Sequence, residues 1–260
     1  MDQFHKNWDS YSKAIAVRKD SPHWAVLREA RESHWREFFR VGPGDKVLDA
    51  GCGNGEYTLW ASQRGAKVWA FDYSAEMVAD AQERVSGHGC SVERIEVASV
   101  LKIPYPDGYF DAVFCLAVLD HLCEGDREQA MRELTRVLKK GGSLYLDVPN
   151  RFAYHWRAAF EVMRLLKMYP KGKIHFFAPR EVHRLVMKHG FTPLHTCGLT
   201  IGPPLSGIYT IDLQRIASFP EFLIRPLDAF YLFCEKTLRR KAFMKAFCWH
   251  YFIEARKDIS

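Results

Sequence analysis

The sequence offers little that would hold a chain together by cross-links or metal. Its seven cysteines are an odd number scattered over 260 residues. No two have CxxC spacing, so neither a disulfide framework nor a structural zinc site is indicated, and most are read as buried thiols. Long hydrophobic runs are missing too. The longest, Ala112 to Leu119, is far short of the roughly 20 residues a bilayer span needs. Met1-Asp2-Gln3-Phe4-His5-Lys6 lacks a basic stretch leading into an apolar one, so no secretory signal is read and a cytoplasmic protein is expected. There is no internal repeat or low-complexity tract. With 48% hydrophobic and 26% charged residues the polar bias of disorder is absent, which leaves room for one sizeable core.

Charge is present but unevenly placed. Of the formal +6, residues 1–150 carry 19 Lys+Arg against 23 Asp+Glu, a net −4, and residues 151–260 carry 18 against 8, a net +10. A basic C-terminal part is either a solvated face or a surface for an anionic substrate or membrane.

From Lys46 to Pro149 short β-rich runs alternate with helical patterns, the mark of a parallel sheet covered on both faces. Strands are expected near Lys46–Asp49, Lys67–Asp72, Arg94–Ala98, Phe110–Cys115 and Ser143–Val148. Ser74 is a good N-cap for a helix carrying Met77, Val78, Ala81 and Val85 on one face. A second helix is expected from Asp126 to the glycines at 141 and 142, and a third from Pro179 to Gly190. Phe191–Leu199 and Trp249–Arg256 read as a sixth and a seventh strand. Trp24, Leu27, His34, Trp35 and Phe38 form an earlier helical stripe suited to packing. The division expected is an N-terminal helical segment over 1–44, a core over 45–199 with a lid insertion at 150–177, a cap insertion at 200–247, and the last strand of the core in 248–260.

The most informative stretch is Val47-Leu48-Asp49-Ala50-Gly51-Cys52-Gly53-Asn54-Gly55-Glu56-Tyr57-Thr58, a strand running through a glycine-rich turn into a helix. Glycines at 51, 53 and 55 let the backbone turn sharply and come close to a ligand, so a nucleotide-like cofactor can lie across the turn. A dinucleotide fingerprint would need glycine where Glu56 stands, and that carboxylate would repel a pyrophosphate. A P-loop is excluded because no Gly-Lys-Ser/Thr follows.

These residues resemble motif I of the class I S-adenosylmethionine-dependent methyltransferases, in the broad group of ubiquinone-type and other small-molecule enzymes. The resemblance continues through Ala70-Phe71-Asp72-Tyr73-Ser74-Ala75-Glu76-Met77, then Leu101 to Asp111, and ends in Val137 to Leu144. It implies a Rossmann-like α/β fold, a seven-stranded methyltransferase sheet with helices on both faces, and here a lid and cap from the two insertions. It implies S-adenosyl-L-methionine as cofactor. Asp49 would face its ammonium directly or through water, while Gly51, Cys52, Gly53, Asn54 and Gly55 pass close to it. Asp72 would accept from both ribose hydroxyls, and Tyr73 and Met77 would pack near the adenine, with Leu116 also at the cofactor. Many relatives have Asp where Ser99 stands; serine would meet the adenine amine without charge, helped by backbone and by Val100.

The turn after the fourth strand, Cys115-Leu116-Ala117-Val118-Leu119-Asp120-His121, carries neither the Asn/Asp-Pro-Pro-aromatic motif of nucleic-acid amino-methyltransferases nor Pro-Cys. Nucleic acid is therefore not the expected partner, and no covalent cysteine chemistry is read. The chemistry of the resembled family is in-line attack on a sulfonium methyl, with the enzyme aligning reactants and removing a proton where needed. His121, His155 and His175 are the candidate bases; His121 reads equally as a structural histidine, and His155 and His175, in the lid, read more readily as structural ones. No metal-ligand cluster is seen. The expected activity is methyl transfer to a small-molecule or lipid-like acceptor. A protein that binds the cofactor without transfer, and a nicotinamide-dependent oxidoreductase disfavoured by Glu56 and Asp49, stay open. In the cap, the aromatics of Phe219 to Phe233 interleave with cations that continue to Arg239-Arg240-Lys241, as either a packed cap or an acceptor-pocket wall with a basic rim that peripheral membranes could meet.

Overall fold

A computed structural model describes residues 35–154, 174–199 and 248–259, with isolated helical positions at 157, 158, 161, 165, 226, 233 and 237. The cap sequence with Arg239, Arg240 and Lys241, the lid histidine His155, and Trp24, Leu27 and His34 lie outside the described residues.

The elements follow in the order β1 (Lys46–Ala50), α1 (Glu56–Ser62), β2 (Lys67–Asp72), α2 (Ala75–Gly87), β3 (Arg94–Val97), β4 (Phe110–Leu116), α3 (Glu124–Val137), β5 (Leu138–Pro149), α4 (Pro179–Lys188), β6 (Phe191–Leu199) and β7 (His250–Lys257), with a single 3-10 turn, Leu119–His121, between β4 and α3. The strands form one sheet in the order β3-β2-β1-β4-β5-β7-β6. The ladders among β1 to β5 are parallel, and β7 runs antiparallel between β5 and β6.

The central strands are apolar on both faces because helices cover both. On one face Leu48, Phe110 and Val113 of the sheet bury with Leu134 and Val137 of α3 and Val186 of α4. On the other Trp35, Phe38, Phe39, Trp60, Phe114, Tyr145 and Phe252 pack together, Phe39 lying 4.7 Å from Phe114 and 5.0 Å from Tyr145 between ring centroids. Offset or edge contacts of this kind add about 0.5–1.5 kcal/mol per pair to the burial itself.

One helix end corrects the sequence reading. The helix expected to start at Asp126 and run to the glycines is α3, which starts earlier and stops at Val137 because Leu138 already pairs with Phe110 of β4. Pairing then jumps to Ala112 with Ser143, so residues 139–142 form a bulge beside Asp111. Lys139 fastens it by donating Nζ to Asp111 Oδ1 at 2.6 Å, and Gly141 turns at φ +75°. A Cβ on Gly142 would sit 2.9 Å from the Asp111 carbonyl oxygen, which leaves no room for a side chain.

Candidate active site

In this sheet β2 and β3 extend to one side of β1, and β4 and β5 to the other. Connections from β1 and β4 therefore leave on opposite sides, and a crevice opens beyond the carboxyl ends of the two strands, the usual place for a ligand in an open α/β sheet. The glycine-rich turn lies there. Gly51 and Cys52 both donate their N–H to the Phe71 carbonyl at 2.9 Å, and Gly55 donates to Cys52. Gly51 has φ +85°, and a Cβ would stand 2.4 Å from Val118 Cγ2; at Gly55, φ +75°, it would meet Ala81 of α2 at 2.8 Å. These two positions need glycine for backbone and packing alike. A Cβ on Gly53 would meet nothing within 4 Å, so between two tightly packed glycines the turn offers open space.

Two carboxylates frame it. Asp72, at the end of β2, accepts from Gly53 N–H at 2.8 Å and from Ser74 N–H at 2.9 Å. Asp49, buried at the end of β1, accepts from Thr58 Oγ1 at 2.6 Å. Burial pushes its carboxyl up to about 7, against the pull of the Thr58 bond and with help from the charge of Asp72. A buried carboxylate poised at neutral pH is stabilised by any cation that comes to it. Burial also pushes the Cys52 thiol well up, with Asp49 and Asp72 adding to the effect, so this cysteine is packing rather than nucleophile.

The remaining sequence candidates gather along the same edge. Met77, buried in α2, donates its N–H to the Ser74 cap at 3.4 Å, and Tyr73 is half-buried beside it. Ala98 N–H donates to the Asp72 carbonyl at 3.0 Å, which brings Ser99 and the buried Val100 to the end of β2. Ser99 Oγ accepts from Leu101 N–H at 3.2 Å. Leu116 closes β4, and Ala117 after it holds φ +54°, an uncommon conformation for a residue with a side chain. Val118, two residues past Leu116, is the neighbour that excludes a side chain from Gly51.

The histidines divide. His121 is half-buried in the 3-10 turn, its side chain 7% exposed, with Nε2 at 3.2 Å from Asp120 Oδ2. His175 donates its backbone N–H to the Asp120 carbonyl at 2.8 Å, and its Nε2 lies 2.7 Å from Glu181 Oε1, whose partner oxygen takes Arg151 at 2.9 Å. Asp120 thus draws these two together, the ring of His175 turning to α4. A further pair was not singled out from sequence: His250 Nδ1 lies 2.9 Å from Asp147 Oδ1 at the same edge. The only sequence signal was polar residues at the end of one strand and the start of another. Among the described residues no three His, Cys, Asp or Glu side chains gather as a metal would require.

Crevice, glycine turn and paired carboxylates suit a nucleotide-like, cation-bearing cofactor, and the comparison with known proteins says which one the family uses. Residues 48–146 match the family described as "Methyltransferase domain". The chain is 33% identical over 192 residues to the ubiquinone biosynthesis O-methyltransferase of Pseudomonas fluorescens (strain SBW25), an alignment covering 66% of this chain and 81% of that one. It is 35% identical over 124 residues to methyltransferase GfsG of Streptomyces halstedii, covering 45% of this chain and, at 44%, less than half of that longer protein. Among solved structures, the magnesium protoporphyrin IX methyltransferase of Synechocystis PCC 6803, with bound S-adenosylhomocysteine, superposes with TM-score 0.60 at 16% identity over 99% of this chain and 97% of that one. The chain belongs to the class I S-adenosylmethionine-dependent methyltransferases. It is an enzyme of that family, and its cofactor is S-adenosylmethionine. No helix among the described residues is long and apolar enough to cross a membrane.

Proposed function

We propose that the enzyme methylates a hydroxyl oxygen of a small-molecule or lipid-like acceptor, with the cofactor across the turn from Gly51 to Gly55. The observation that carries this reading is the turn itself, open at Gly53 and flanked by Asp49 and Asp72. Asp72 takes the ribose hydroxyls, Asp49 the ammonium, and Tyr73, Met77, Ser99, Val100 and Leu116 surround the adenine and the rest of the cofactor. The bound cofactor supplies an electrophilic methyl; the protein places the acceptor in line with it and excludes water. Oxygen as the acceptor atom is supported by relatives named as O-methyltransferases.

The same reading assigns acceptor binding to the C-terminal part, in the lid at 150–177 and the cap at 200–247, with the net +10 of residues 151–260 drawing in an anionic or membrane-borne acceptor. The test is formation of S-adenosylhomocysteine from S-adenosylmethionine with a panel of hydroxylated small molecules, a duplex oligonucleotide and a peptide. Turnover restricted to the small molecules supports the reading, and turnover with the oligonucleotide or peptide alone overturns it. Charge reversal at Arg239, Arg240 and Lys241 should weaken binding to anionic vesicles, less so as salt rises; unchanged binding removes the membrane part of the proposal.

A further inference from the structure

Side chains alternate along a strand, so register places residues on faces. Asp49 pairs with Phe114 and Phe114 with Tyr145. One alternation further, Leu116 pairs with Asp147, then Asp147 with Phe252 and Pro149 with His250. Asp49, Leu116, Asp147 and His250 therefore share one face of the sheet and step toward its carboxyl edge. With strands about 4.8 Å apart, β7 is two spacings, about 10 Å, from the end of β4. That is the span a small acceptor would fill between the cofactor crevice and β7.

The pair is built as a proton acceptor. Asp147 is buried, with its side chain 6% exposed, whereas that of His250 is 26% exposed. With Nδ1–H donated to Asp147 Oδ1 at 2.9 Å, the imidazole carries its lone pair on Nε2, and Nε2 makes no hydrogen bond among the described residues. The two described histidines that the sequence offered as bases contrast with this: Nε2 of His121 is against Asp120 and Nε2 of His175 against Glu181. Facing the imidazole are Asp147 from β5 and the indole of Trp249, edge-on at 5.8 Å. Trp249 is in turn 5.7 Å from Phe176, which gives an acceptor an apolar wall beside the base. Ala117, strained between Leu116 and Val118, ties the two halves by donating its N–H to the Asp147 carbonyl at 3.0 Å.

From this geometry we infer that His250 is the general base of the transfer and Asp147 its positioning residue, an inference that rests on the O-methylation reading above. The acceptor O–H gives its proton to Nε2 of His250 while an oxygen lone pair forms the new bond to the methyl carbon. The carbon–sulfur bond breaks with its electron pair remaining on sulfur. The positive charge passes from sulfonium to imidazolium, which Asp147 stabilises until the proton leaves to water.

Two measurements test this, one of which needs no acceptor. In ¹⁵N-histidine NMR of the purified protein, with and without S-adenosylhomocysteine, His250 should show a single neutral tautomer protonated at Nδ1, lost to a mixture in Asp147→Asn. A proton on Nε2, or a spectrum indifferent to Asp147→Asn, overturns the assignment even if no acceptor has been found. With any acceptor that is turned over, His250→Gln should lower kcat on the order of 100-fold or more. It should leave the Kd for S-adenosylmethionine within about twofold and remove the rise of kcat with pH that deprotonation of the imidazole gives the parent enzyme. A parent-like kcat and pH profile in His250→Gln overturns the inference. Tight cofactor binding with no acceptor methylated would count against the O-methylation reading, while the NMR result still decides the dyad.

Discussion

Asp72 holds the turn and, on the reading above, the ribose with the same carboxylate. Asp72→Ala removes an acceptor worth roughly 1.5–3 kcal/mol for each bond to a charged group, so the Kd for S-adenosylmethionine should rise at least about tenfold in calorimetric titration, with cooperative unfolding retained. An unchanged Kd would remove the ribose assignment. Asp49 has a signature in proton linkage. Its folded carboxyl is raised from 3.8 to about 7, so between those values the folded state holds a proton the unfolded chain has lost. The stability that Asp49 itself contributes to the ligand-free protein should therefore be fullest below about pH 4, decline as pH rises toward about 7 and level off beyond, which the stability difference between the parent and Asp49→Asn reads. Asp111, Glu133 and Glu181, held below the usual carboxylate range, act in the opposite sense and cancel in that difference. An ammonium beside Asp49 favours its ionised form, so cofactor binding near pH 6 should release up to about one proton. Calorimetry in buffers of different ionisation enthalpy reads it; no buffer dependence, or an equal one in Asp49→Asn, contradicts the placement. For Ser99, Ser99→Asp should bind the cofactor as tightly or more tightly through a charge-assisted bond, and loss of binding in a folded variant would show that the end of β3 does not face the adenine.

The bulge of β5 separates what holds the sheet from what serves the site. A Cβ on Gly142 would stand 2.9 and 3.0 Å from the Asp111 and Lys139 carbonyl oxygens, backbone atoms that cannot swing aside, and Gly142 lies at the end of the ladder away from the crevice. Gly142→Ala should cost about 1–3 kcal/mol by denaturant unfolding, the usual range for overpacking, while the Kd for S-adenosylmethionine in the folded protein stays unchanged. A weakened Kd would mean the bulge communicates with the site. This element also shows what sequence could and could not convey. β2 and β6 have the bounds their hydrophobic patterns predict and α2 starts at its Ser74 cap, because period and capping are local properties. Lys139-Lys140-Gly141-Gly142 reads locally as the end of a helix, and only pairing with β4 makes it a strand bulge. The cofactor candidates were legible because a turn between adjacent elements carries most of them. His250 and Asp147 are 103 positions apart and meet only through the β5–β7 ladder, which no local pattern announces.

Across the whole molecule, the sheet divides labour along its carboxyl edge. The stretch that matches the methyltransferase domain, residues 48–146, supplies the cradle from β1 through β4. Asp147 is the first residue beyond it, and His250 comes from β7, in the basic part of the chain. On the proposed reading, cofactor chemistry falls to the stretch that matches the domain and acceptor chemistry to residues beyond it. Everything on the acceptor side depends on the cradle holding S-adenosylmethionine. The most direct measurement is therefore calorimetric titration of the purified chain with S-adenosylmethionine and, in parallel, with NADH. One S-adenosylmethionine bound per chain, with NADH silent, is the predicted result; NADH binding while S-adenosylmethionine gives no heat and fails to compete would contradict the account.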